Sequence, residues 1–356
     1  MNPNEQRLTY PWGETIPEPG RAIVVGDGVR WMRLPLPFAL DHINIWLLRD
    51  EIDGRQGWTI VDTGVARDEV RAQWEAIFEN ELDGLPVLRV VATHMHPDHV
   101  GLAHWLCERW GATFWITMTE FVTARLWSRP PVNGTAEGGA GGNLALAHFV
   151  RHGLVDPIAQ DQIRQRGSYY PTLVPDVPAS FRRIMDGDVL TIGGRDWRVI
   201  VGYGHSPEHA SLYCDTLRML ISGDMLLPRI STNVSVFSFE PEANPLPLYL
   251  KSLKRFDALP DDTLVLPSHG RPFKNMHERI AQQHTHHAER LQEVLTACRV
   301  PCSAGDIVPV MFRRKLDSHQ LTFAIGEALA HLHALYYQGK LRRLLGDDGV
   351  FRFSAV

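Results

Sequence analysis

Apolar residues fall along this chain in short runs, each ending abruptly in a polar turn rich in Asp, His, Ser and Gly. Trp58-Thr59-Ile60-Val61 leads into Asp62-Thr63-Gly64. Val87-Leu88-Arg89-Val90-Val91 leads into Thr93-His94-Met95-His96-Pro97-Asp98-His99. The design recurs in Arg198-Val199-Ile200-Val201 before His205-Ser206-Pro207-Glu208-His209, in Met219-Leu220-Ile221 before Ser222-Gly223-Asp224, and in Leu264-Val265-Leu266 before Pro267-Ser268-His269-Gly270. Runs of this length rich in branched residues predict strands. Glycine beside the polar residue lets the chain turn sharply and pass close to an ion. Further strands are predicted at 21–25, 30–36 and 43–48. Helical spacing covers 66–78, the stretch from Val100 to Leu106, and 119–127, 144–152, 158–166, 275–297 and 321–338.

Alternating strands and helices thus occupy 21–275, after an N-terminal arm over 1–20 that carries four prolines and reads as loose. Residues 118–180 form an insertion of helical segments around a glycine-dense run, 134–142, which cannot hold regular structure alone. It reads either as a mobile flap over a cleft or as an incidental surface excursion. In the final unit, 276–356, Ser303 is a helix cap, a helix follows over 321–338, and a β-hairpin forms around Asp347-Asp348-Gly349. Helices followed by a hairpin resemble a winged helix.

Composition adds little beyond class. Apolar residues make up 44% of the 356 and charged residues 22%, as in globular chains long enough for two domains. A net charge of −5 speaks against wholesale coating of nucleic acid. Residues 303–356 hold seven Lys or Arg against five Asp or Glu, a weakly basic balance for a nucleic-acid reader. The N-terminus lacks the basic-then-apolar order of a signal peptide and no apolar run approaches a membrane span, so no membrane partner is expected. Four scattered cysteines, Cys107, Cys214, Cys298 and Cys302, do not make a disulfide scaffold, and a reducing cytoplasm is expected.

The candidate chemistry lies in the turns. Three imidazoles and a carboxylate crowd into His94–His99, followed downstream by further His and Asp, each just after a strand-like run. Imidazole with carboxylate suits zinc, iron and manganese. Asp62 reads either as a residue that supports a ligand or as a cap for the helix near Ala66. Arg229 and Asn233, close behind Asp224, are weak candidates for substrate binding or for tying down a loop. His209 is read as structural or supporting, at helical spacing from His205. His277, His284, His286 and His287 are read as a solvated helix face.

The ordered set Asp62-Thr63-Gly64, His94-x-His96-x-Asp98-His99, His205, Asp224 and His269 resembles the metallo-β-lactamase superfamily over residues 20–275. The resemblance implies an α/β (α+β) chain, a four-layer αβ/βα sandwich with metals in a cleft at the sheet edges. It implies His94, His96 and His205 on a first metal, Asp98, His99 and His269 on a second, and Asp224 as the bridging carboxylate. The cofactors would be two divalent ions, zinc by first expectation, with iron or manganese as alternatives. Such a pair brings the pKa of a shared water from near 16 towards roughly 7, giving hydroxide at neutral pH. Asp98 and Asp224 are the candidate catalytic residues, able to accept or orient a proton. β-lactamases of this fold usually carry Cys at the position of Asp224, so β-lactam hydrolysis is not the expected task.

The resulting expectation is a binuclear metal hydrolase acting on a small ester or thioester, similar to glyoxalase II-like members, with homo-oligomers possible. The layout of the last unit also resembles the β-lactamase-like endoribonucleases, which leaves single-stranded RNA as an alternative substrate. A subset of these ligands would serve a mononuclear iron enzyme that oxidises sulfur compounds, leaving Asp98, His99 and His269 partly idle, and a non-catalytic binding protein could keep its metals for stability.

Overall fold

The computed structural model describes residues 5–129, 141–314 and 316–356. The glycine-dense run 134–142 therefore lies outside the described residues except for Gly141 and Gly142.

The first half builds a seven-stranded sheet. Its antiparallel side is β1 (Ala22–Gly26), β2 (Val29–Pro35), β3 (His42–Ile52) and β4 (Arg55–Val61), and its parallel side adds β5 (Val87–Val91), β6 (Thr113–Ile116) and β7 (Arg182–Arg183) in that order. Parallel neighbours need crossovers. These are α1 (Asp68–Asn80) between β4 and β5, then α2 (Pro97–Val100) and α3 (Ala103–Trp110) between β5 and β6. The second half builds a five-stranded sheet in the order β12 (Leu264–Pro267), β11 (Met219–Gly223), β10 (His209–Cys214), β9 (Arg195–Gly202), β8 (Val189–Ile192).

Three cores define the layers. Trp31, Trp46, Val61 and Val91 from the first sheet meet Trp197, Val199, Ile221 and Leu266 from the second. The outer face of the first sheet packs on α1 and α3 through Trp74, Ile77 and Leu106. The outer face of the second packs on α8 (Pro245–Leu253) and α9 (Met276–Ala297) through Tyr249, Leu253 and Ile280. This is the expected four-layer αβ/βα sandwich. Every strand that ends in a candidate turn delivers it to the same edge of the paired sheets.

The described helices of the insertion are packed into the cores and are not an incidental surface excursion. α4 (Met118–Trp127) buries Ala124 in the core on the outer face of the first sheet, while α5 (Gly142–Arg151) and α6 (Pro157–Gln165) bury Ala145, Phe149, Ala159 and Ile163 in the core they share with the last helices. α7 (Tyr169–Leu173) buries Tyr170 and Leu173. The chain ends with α10 (Ala304–Met311), capped by Ser303 and Asp306, α11 (Ser318–Tyr337), capped by Asp317 and Gln320, and the hairpin β13 (Leu341–Leu345) and β14 (Phe351–Ala355).

Packing corrects two further expectations. The N-terminal arm is tied down: Leu8 is buried, and Lys274 N–H donates to the Thr9 carbonyl at 2.8 Å. The α9 histidines are not a uniformly solvated face, because α11 covers His287. His287 is fully buried, its Nδ1 3.2 Å from His331 Nε2, and His277, His284 and His286 are only half-exposed.

Candidate metal centre

β5 ends at Val91, and the next turn carries His94, His96, Asp98 and His99 into the cleft between the sheets. His205 follows β9, Asp224 follows β11 and His269 follows β12. All seven residues expected to hold metal converge. His94 Nε2 lies 2.8 Å from His96 Nδ1 and 3.2 Å from His205 Nε2, and His205 Nε2 lies 3.4 Å from Asp224 Oδ2. In the second group, His269 Nε2 is 3.4 Å and His99 Nε2 3.5 Å from Asp98 Oδ2. Asp224 Oδ1 faces that group, 3.4 Å from His269 Nε2 and 3.6 Å from His99 Nε2.

These spacings suit cations. Four ligands at about 2.0–2.1 Å from a tetrahedral ion stand roughly 3.3 Å apart. Each group could hold one ion through ligand atoms that all lie within 4.8 Å of one another. Two of the inward-facing atoms, His99 Nε2 and Asp224 Oδ1, are buried without a hydrogen-bond partner, which is costly unless something else binds them. The donor set and the orphaned atoms fit a pair of divalent ions.

Electrostatics separate the groups. Burial and neighbouring imidazoles hold His94 far below its usual range and His96 at about 3, so both are neutral rings with a free lone pair. Burial opposes charge on His269 too, but Asp224 and Asp98 outweigh it and raise it to about 10. His99 is likewise raised, with Asp62, Asp98 and Asp224 overcoming burial. Without an ion, two imidazolium rings therefore balance the carboxylates of the second group.

The rings of His99, His205 and His269 are each aimed by the other nitrogen, as imidazole ligands are. His99 Nδ1 donates to Asp62 Oδ2 at 2.8 Å, and Asp62 Oδ1 accepts from Thr93 N–H at 2.8 Å. Asp62 therefore supports the site and does not cap α1, whose N-cap is Arg67. Its φ of +64° is a strained value for a non-glycine residue. His205 Nδ1 donates to the Asn233 carbonyl at 2.8 Å, so Asn233 acts through its backbone while its amide contacts Glu327 at 3.4 Å. Arg229 is 72% exposed and faces Glu5 of the N-terminal arm at 3.8 Å, which assigns it to a loop contact and not to the cleft. His209 is not in helical register with His205; it opens strand β10, and its Nε2 accepts the Asp224 N–H at 3.0 Å.

Several supporting residues gave no sequence signal. His269 Nδ1 donates to the His42 carbonyl at 2.7 Å, and His42 Nε2 accepts from Gly270 N–H at 2.9 Å. Buried Asn44 donates to the carbonyls of Pro267 and Gly270 at 2.8 and 3.0 Å, holding the turn that carries His269. Glu120 and Tyr170 both bond the backbone of Met95, between His94 and His96.

The chain has known relatives. Residues 39–269 match the model of the metallo-beta-lactamase superfamily, and residues 291–356 match a metallo-beta-lactamase-like C-terminal domain. The chain is 55% identical to a beta-lactamase domain protein of Burkholderia ambifaria, each chain covered 100%, with a TM-score of 0.93. A metallo-beta-lactamase family protein of Thermus thermophilus is 27% identical, with 92% of this chain and 99% of that one covered and a TM-score of 0.74. A probable metallo-hydrolase of Bacillus subtilis, YqjP, is 23% identical over 318 residues, 85% of this chain and 91% of its own. With the ordered His and Asp turns meeting at one sheet edge and the family model spanning most of the chain, this protein belongs to the metallo-β-lactamase superfamily.

Proposed function

We propose that the protein is a binuclear metal-dependent hydrolase of small carboxylic esters or thioesters. The carrying observation is Asp224, whose Oδ2 faces His205 at 3.4 Å while its Oδ1 faces His269 at 3.4 Å and His99 at 3.6 Å. A carboxylate presenting one oxygen to each of two ligand groups suits a bridge between two ions. His94, His96 and His205 would hold one divalent ion, and Asp98, His99 and His269 the other. When bound, such a pair supplies an activated water and polarises the carbonyl under attack.

The chain's own residues do the rest. Asp62, Asn233 and His42 fix the rings of His99, His205 and His269, so that no reorientation is needed during reaction. Asp98, held down to about 2 by the charges of His99 and His269 against the opposing effect of burial, stays ionised and can take or steer a proton. An aromatic wall stands beside the His94–His96 turn. Tyr170, bonded to Met95, meets the Trp127 ring at 5.5 Å; Trp127 meets Phe239 at 5.2 Å; and Phe239, 47% exposed, stacks on Phe237 at 5.5 Å. That wall favours an apolar acyl group.

We take the last unit, read as winged-helix-like, as support for the sandwich: Ala328, Leu329 and Phe353 lie in the core shared with α8 and α9, and two of its basic side chains are paired, Arg343 with Glu242 and Arg352 with Asp348.

Metal analysis with a panel of acyl thioesters, lactones, β-lactams and single-stranded RNA tests the reading. Two metals per chain and acyl hydrolysis that improves with longer acyl chains are expected. One iron per chain with oxygen uptake, or cleavage confined to RNA, would replace it.

A further inference from the structure

Two of the ligand-bearing turns belong to different sheets, yet one buried side chain outside both motifs joins them. Glu120, on the first turn of α4, is fully buried. Its Oε1 accepts from Ser206 Oγ at 2.6 Å and from Glu208 N–H at 2.7 Å, and its Oε2 accepts from Met95 N–H at 2.9 Å. Ser206 follows His205, and Met95 separates His94 from His96. The other end of the Met95 residue is also held: Tyr170 Oη donates to the Met95 carbonyl at 2.5 Å. Further bonds from the start of α4 reach the second turn, with Thr117 Oγ donating to the Glu208 carbonyl at 2.9 Å and Thr119 N–H to Glu208 Oε2 at 3.0 Å.

We propose that Glu120 and Tyr170 are positioning residues for the first metal, bringing the His94/His96 turn and the His205 turn to the separation one ion requires. The inference rests on the two-metal reading for the identity of the ligands. Every donor on Glu120 is an N–H or O–H, so the acceptor-only carboxylate matches the arrangement. An amide could serve the Ser206–Glu208 side or the Met95 side, but not both. Among the described residues no hydrogen bond links Glu120 or Tyr170 to Asp98, His99 or His269, and the rings of His99 and His269 are aimed by Asp62 and His42. The effect is therefore expected to fall chiefly on the first ion. Supporting residues of this kind typically change metal affinity 10–100-fold.

The test is a cobalt(II) titration of the full-length, chelator-stripped chain, followed by absorption and by turnover. Glu120→Gln, Glu120→Ala and Tyr170→Phe are compared with the natural chain, each also in a His269→Ala background so that the first-site signal is read alone. Expected is a ~10–100-fold weakening at the first site, largest for Glu120→Ala, with the second site unchanged and kcat recovered by excess cobalt. Unchanged affinity at the first site overturns the inference. Equal weakening at both sites also overturns it, since that is a general fold defect. If the Glu120 variants do not fold, Tyr170→Phe, which loses one hydroxyl, decides by the same criteria. A natural chain that binds only one cobalt sinks the two-metal reading, while the response of the His94/His96/His205 site still decides this one.

Discussion

At the scale of single residues, the centre is governed by which atom of each ligand is left free. Asp224→Ala removes the carboxylate that both groups share, and turnover should fall at least ~100-fold while the fold persists; near-normal kcat in that variant would sink the two-metal mechanism. Asp62→Asn keeps the shape but replaces the acceptor of His99 Nδ1. Affinity at the second site should drop ~10–100-fold with the first unaffected, as calorimetric metal titration would show. Because His269 is held protonated up to about 10, its proton must leave before an ion enters. Second-site affinity should therefore climb with pH from about 7 towards about 10, with measurable proton release on binding. A pH-independent affinity would mean that the ring is already neutral. The candidate ligands stood out in the sequence because each follows an apolar run, and the resemblance to the metallo-β-lactamase superfamily supplied their division into two groups. Their orienting partners did not: Asn233 acts through a carbonyl 28 positions from His205, and His42 through a ring and a carbonyl some 227 positions from His269. Backbone atoms carry no residue signature, and only tertiary packing fixes such distances.

Among elements, the apolar runs marked the strands that end in the candidate turns, although β4 and β9 begin three residues earlier than expected, and β6, β7, β8 and β10 were not marked. Strand β10, His209–Cys214, escaped because it lies between β9 and β11 and is buried throughout, so its sequence shows no alternation. Its polar members are absorbed internally, Ser211 by the Ser222 carbonyl at 3.1 Å and His209 by Asp224. Two glycines mark where elements approach too closely for a side chain. Gly223 has φ +54°, and a Cβ there would come within 2.3 Å of His209 Nε2; Gly223→Ala should lower stability by ~1–3 kcal/mol and reduce bound metal. Gly326, on α11, would put a Cβ 2.8 Å from Ser235, in the segment whose Asn233 orients His205. Gly326→Val should thus weaken metal binding at the first group although no ligand lies on that helix, and thermal unfolding with and without zinc measures both effects.

For the molecule as a whole, the two sheets are joined at both ends. Opposite the metal edge, Asp50 accepts from Arg89 Nε at 2.9 Å and from Gly193 N–H at 3.0 Å, linking the first sheet to the β8–β9 turn of the second. Both side chains are buried, so Arg89→Ala should cost about 3–5 kcal/mol by stranding a charge. Buried histidines away from the centre set the acid limit. Burial lowers His148 and His331 to about 4 and His152 to about 3, whereas the unfolded chain takes up these protons near 6.5. The unfolded state binds more protons across that interval, so stability is retained above about 6.5 and lost as pH falls towards 3. A melting temperature that stays flat between pH 7 and 4 would show that these rings charge in place. The distribution of ligands along the chain also has a temporal side. His94, His96, Asp98 and His99 leave the ribosome together, but His269 follows His99 by 170 positions, an interval of roughly ten to thirty seconds at ordinary synthesis rates. During that interval the nascent chain exposes a half-built chelator that can capture whichever ion is most abundant, in a geometry the finished fold does not use. Refolding with metal withheld until the sheets have paired should accordingly give more correctly loaded protein than refolding with metal present from the start.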